Sequence, residues 1–96
     1  MPEVTPAALA DRALELAPRV ALRPEPFGAL AYHYGTRRLV FLKDRDLVRV
    51  VEALASAPTL RATLDACAIA PRRRPAFERA IAGLIDSEIV RERADV

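Results

Sequence analysis

Within residues 28–34 small and large side chains alternate with a period of two, and from Asp44 onward the apolar residues recur every three to four. The first period belongs to strands and the second to helices. In GALAYHY, residues 28–34, Leu30, Tyr32 and Tyr34 share one face and Ala29, Ala31 and His33 the other. Gly35-Thr36-Arg37 supplies a turn, with glycine free to take positive φ. Residues 38–43, RLVFLK, return as the hairpin partner and are apolar on both faces. Residues 20–23 form a shorter strand ahead of the hairpin, broken by Pro24 and Pro26, residues tolerated only at strand edges and ends.

After the hairpin, Asp44 caps a helix with Leu47, Val50, Val51 and Leu54 in one apolar stripe, stopped at Ser56-Ala57-Pro58. Thr59 caps a second, with Leu60, Leu64 and Cys67 inward, ending near Pro71. Pro75 opens a third, buried through Phe77, Ile81, Leu84 and Ile85, and Ile89 and Val90 fold back beneath it. Ahead of all this, Thr5 and Pro6 precede Leu9, Ala13 and Leu16 at helical spacing, with Pro18 closing the run. That segment reads as a short helix or as a loose terminal arm. Residues 1–19 are therefore set apart from a domain over 20–96.

The fold class is α+β, a three-stranded antiparallel meander followed by three helices, with the second strand in the middle. The two sheet edges are then the first and third strands. Prolines blunt the first, whereas the third has only Arg37, Arg38 and Lys43 at its ends and no later strand to cover it. The third strand is thus expected to dock another chain, and Val40→Pro to delete one of its edge amides. Left unfilled, the same edge can pair with a second copy.

Composition narrows the function. The 96 residues make one domain, about half of them apolar, with five aromatics and no Trp, so the core should be Leu, Val, Ile and Ala. Fifteen basic residues against thirteen acidic ones, a net charge of +2, do not predict nucleic-acid binding. The single cysteine, Cys67, sits in an apolar run and reads as a small buried hydrophobe. Without a signal peptide or a membrane span, a cytoplasmic location is expected.

His33 is the only histidine and has no metal-ligand spacing around it, no motif pairs it with a nucleophile, and Gly28, Gly35 and Gly83 form no phosphate loop. An enzyme is not expected, nor a cofactor. The remaining feature is PRRRPAFERAIAGL, where Arg72, Arg73 and Arg74 stand at the start of the third helix. Cations are unfavourable at that end of the helix dipole, and an anionic partner would relieve them. Peptide addition to the third strand fits this geometry. The alternative is a winged-helix DNA-binding protein with the third helix in a major groove. Asp44, Asp46 and Glu52 on the first of the three helices, and no Asn, Gln or Lys on the third, argue against it.

The stretch ALRPEPFGALAYHYGTRRLVFLK closely resembles the signature of the mycofactocin-system peptide chaperones of MftB type, within the PqqD-like recognition elements of ribosomally made, post-translationally modified peptides. The resemblance is specific from Val20 to about Leu54, general over the later helices, and absent from the first eighteen residues. It implies a winged-helix-like fold that binds a precursor peptide and presents it to a radical S-adenosylmethionine enzyme, which carries the iron–sulfur chemistry. Carried onto this chain, it puts the peptide beside Arg38, Leu39, Val40, Phe41, Leu42 and Lys43, with Arg72, Arg73, Arg74, Phe77 and Ile81 as the far wall.

Overall fold

The computed structural model describes residues 9–93, and alternation lays down its sheet. Strands β2 (Val20–Glu25), β3 (Gly28–His33) and β4 (Leu39–Leu42) pair antiparallel in the order β2-β3-β4, so the middle strand is the expected one. Ala31 stands opposite both Leu22 and Val40, and Ala29 opposite Leu42. Both alanines are fully buried, and their small side chains let the helical layer approach the sheet closely.

β2 runs through Pro24, beyond the four residues that the sequence predicts. The Tyr34 amide donates to the Arg19 carbonyl at 2.8 Å. Because hydrogen-bonded pairs alternate along an antiparallel ladder, Pro24 falls where an amide would point away from β3. The missing donor costs the ladder nothing.

The β3–β4 turn differs in detail from the expectation. Arg37, not Gly35, holds the positive φ, at 64°. Gly35 is needed for space, since a Cβ there would lie 2.9 Å from the His33 ring. Gly28 combines both demands: its φ is 147°, and a Cβ would come within 2.1 Å of the Leu42 carbonyl oxygen.

Three α-helices follow: α1 (Arg45–Ala53), α2 (Leu60–Ala66) and α3 (Arg74–Asp86), with 3-10 turns at Leu54–Ser56 and Pro71–Arg73. The N-caps of α1 and α2 are those the sequence predicts. Asp44 Oδ1 accepts from the Asp46 and Leu47 amides, and Thr59 Oγ1 from the Ala62 amide. The core is built from Val50, Val51 and Leu54, from Leu60, Leu64 and Cys67, and from Phe77, Ile81 and Leu84. No helix among the described residues is long and apolar enough to cross a membrane.

Two elements were not foreseen. Leu14–Leu16, part of the run with helical spacing, is a strand, β1, and Val90–Glu92 is its antiparallel partner, β5. Leu14 and Val90 are buried, the Glu15 and Arg91 side chains pair across the ladder at 2.7 Å, and the Arg93 amide donates to Ala13. Three apolar positions cannot sustain a helix alone, so tertiary pairing decides their conformation. A strand does therefore follow the hairpin in sequence, but it pairs with β1. β4 remains an edge of its sheet.

α2 and α3 end alike without glycine. Ala68 (φ 58°) and Glu88 (φ 62°) take the left-handed position after the helix. Ile69 then donates to Leu64, and Ile89 to Leu84, closing the backbone bonds of a Schellman motif. The second of these turns the chain into β5.

Candidate functional site

The edge of β4 is defined by which of its main-chain groups face outward. The His33 amide donates to the Arg38 carbonyl at 2.9 Å, and Val40 and Leu42 follow at alternate positions in the same register. Those residues bond to β3, while Leu39 and Phe41 turn their N–H and C=O groups away from it. This corrects the choice of Val40 as an edge amide: its N–H belongs to the hairpin ladder. The error is one of register, which alternation of side chains does not reveal.

Side chains divide the same way. Val40 is half-buried and Leu42 buried beneath the helices, whereas Leu39 and Phe41 stand 51% and 55% exposed on the outer face. Arg38 and Lys43 are exposed at the two ends of the strand.

Beyond the C-terminal end of β4 lies a shallow groove of about 140 Å³ between α1 and α3, lined by Asp44, Leu47, Ala76, Phe77 and Ala80. Ala76 and Ala80 are one turn apart on α3, and their small side chains leave the space open. The sequence reading named Phe77 but missed the alanines; their i, i+4 spacing next to Phe77 was the available signal. Ile81 is fully buried and supports the groove from below.

The three arginines have separate roles. Arg73 donates to Asp46 Oδ2 at 2.8 Å and to Asp44 Oδ2 at 3.2 Å, and its guanidinium carbon lies 5.0 Å from the Phe77 ring centroid. The hydrogen bond to Asp46 raises the Arg73 pKa, and hydrogen bonds from Arg73 and then Arg49 lower that of Asp46. Asp44 thus caps α1 with one oxygen and binds Arg73 with the other. Arg74 donates to the Ile69 carbonyl at 2.9 Å and to Asp65 at 2.7 Å. Of these three, Arg72 alone is exposed and has no side-chain partner among the described residues. The cluster that suggested duplex binding is largely neutralised within the chain.

His33 has a local structural use. Its Nδ1 accepts from the Gly35 and Thr36 amides, both at 3.0 Å, closing the β3–β4 turn. Cys67 is a free, buried thiol, as the sequence predicts. No cluster of three His, Cys, Asp or Glu able to hold a metal occurs among the described residues.

An edge with unpaired main chain, bordered by a small apolar groove, is suited to an extended peptide. Comparison with known proteins agrees: the model of the Peptide chaperone MftB family matches residues 13–91. The chain belongs to the MftB peptide chaperone family. The match runs from just before β1 into β5, so the family includes the strand pair as well as the hairpin signature.

A peptide chaperone MftB of Mycolicibacterium smegmatis is 46% identical over 72 residues, covering 75% of this chain and 71% of that protein. One of Mycobacterium ulcerans is 42% identical over 80 residues, 83% and 73% of the two chains. One of Mycobacterium tuberculosis is 59% identical over 51 residues, 53% and 47%. No solved structure matches. These MftB relatives are named as chaperones rather than enzymes, and family membership supports peptide binding and a place in the mycofactocin system.

Proposed function

We propose that this chain captures the mycofactocin precursor peptide by strand addition to β4 and presents it to a radical S-adenosylmethionine maturase. The observation that carries the reading is the pair of outward-turned main-chain units at Leu39 and Phe41. A peptide strand there gains generic affinity from backbone hydrogen bonds, and alternate side chains supply the choice of sequence. Inward ones reach toward Leu47, Ala76, Phe77 and Ala80. Arg38 and Lys43 at the ends of β4 and Arg72 just ahead of α3 are exposed cations that fit acidic residues of a leader, while Arg73 shapes the wall by holding α1 to α3.

No catalytic group of this chain is required. Holding peptide and enzyme in one complex turns their encounter into an effectively intramolecular event. The iron–sulfur chemistry stays with the maturase, and the location is the cytoplasm. Without peptide, the edge pairs with that of a second copy at high concentration.

Leu39→Pro tests the reading directly, because it removes an outward amide without breaking the ladder to β3. Titration calorimetry with the precursor peptide should show affinity reduced by about tenfold or more, with circular dichroism unchanged and Leu39→Ala much less affected. Wild-type affinity in a folded Leu39→Pro variant sinks edge pairing.

A further inference from the structure

Four of the five aromatic residues do not contribute to the core. Only Phe77 is buried there. Phe27, Tyr34 and Phe41 are exposed, and Tyr32, half-buried, packs edge-to-face on Tyr34 at 5.1 Å. Register explains the grouping. Leu30 opposes Phe41, Tyr32 opposes Leu39, and both pairs lie on the sheet face away from the helices. Phe27 meets Phe41 edge-to-face at 5.8 Å, and with Leu30, Glu25 and Lys43 they line a concave groove of about 460 Å³. No described helix covers this face. Aromatic residues within an arginine-rich surround are the composition of interface centres rather than of ordinary surface.

Charge says what kind of surface fits. Residues 19–45 carry six Arg or Lys against two carboxylates, although the whole chain is nearly balanced. One of the two, Asp44, is turned to α1 and Arg73, and the other, Glu25, is paired with Arg23 at 3.2 Å. The sheet is therefore the basic side of the molecule and the rest is acidic on balance. A second copy docked two-fold on this face would set like charges against each other. A lipid surface favours apolar side chains that protrude, whereas here they enclose a groove that receives one.

We propose that the outer face of the β2–β3–β4 sheet docks a folded protein whose contacting surface is acidic around a protruding apolar side chain, leaving the β4 edge free for peptide. The inference rests on the peptide-capture reading for the identity of that protein, the modifying enzyme.

The test titrates the purified radical S-adenosylmethionine maturase and, separately, the precursor peptide into the full-length chain. Phe27→Ser combined with Arg23→Glu should weaken maturase binding about tenfold or more and leave peptide affinity within a factor of about two. Arg23→Glu alone, at a side chain 79% exposed, preserves the fold and should weaken binding less while reducing its salt dependence between about 50 and 300 mM. Ala76→Glu, at an exposed position in the groove between α1 and α3, should behave oppositely, losing peptide and keeping maturase. Failure of peptide capture thus shows in the peptide titration, and failure of this inference in the maturase titration. Unchanged maturase affinity in the folded double variant overturns the proposal. So does a double variant that loses only self-association, or only binding to phosphatidylglycerol vesicles.

Discussion

Single residues in this chain are constrained by the backbone at several points where the side chain has little to do. Gly28 is fixed by the Leu42 carbonyl, and Gly35 by the His33 ring that caps its own turn. Glu88 is the reverse case: an exposed side chain on a left-handed residue, at a position where glycine is the usual occupant. A non-glycine residue there is disfavoured by about 1–2 kcal/mol, and glycine gives back part of that through a more flexible unfolded chain. Glu88→Gly should therefore stabilise the protein by about 0.5–1 kcal/mol in urea unfolding, with no change in peptide affinity. A destabilised variant would mean that Glu88 makes a contact outweighing its backbone conformation.

Between elements, the groove depends on how α1 and α3 are held. Asp44 and Asp46 at the start of α1 grip Arg73 at the start of α3, and Arg73 covers Phe77. The Asp46 pKa is lowered in the folded state, so its contribution is present above the unfolded value of 3.8 and is lost as pH falls through the lower folded value. The Asp46–Arg73 contact should accordingly persist through weakly acidic solution and be lost only below the ordinary carboxylate range. An NMR titration of the Asp46 carboxyl carbon checks this, with a midpoint below 3.8 in wild type that rises in Arg73→Ala. The rise should be partial, because Arg49 still donates to Asp46 at 2.9 Å. A midpoint indifferent to Arg73 would detach α3 from this account.

At the scale of the molecule, the two chain ends close one core. Leu9 and Leu14 are almost fully buried, Ala17 receives its main-chain partner from Ile89, and Arg93 donates to the carbonyls of Ala55, Ala57 and Pro58. Removing residues 1–17 would delete two core leucines, each worth about 2–5 kcal/mol on truncation to alanine, and would leave β5 unpaired. That approaches the whole stability of a small domain, about 5–15 kcal/mol. The truncated chain should show no cooperative thermal transition by calorimetry. A sharp transition near the wild-type temperature would make residues 20–96 an autonomous unit and residues 9–17 an accessory to it.

How far each feature could be read before folding follows from the range of the interactions that produce it. The hairpin, the Asp44 and Thr59 caps and the inward stripes of the three helices rest on contacts a few residues apart, and the order of apolar and polar positions specifies them. The open third strand was legible for the same reason, as a proline-free run with a local partner on one side alone. Glu15 and Arg91 are 76 positions apart, and no periodicity in a three-residue strand announces that pairing. Arg73 likewise looked like one cation of three until α3 lay beside α1 and brought it to carboxylates 27 and 29 residues away. Alternation sorted Leu30 and Tyr32 from Ala29 and Ala31, yet it could not say which set would meet water. Packing chose, because the helices come close only over the alanines, and the aromatic face was left outside.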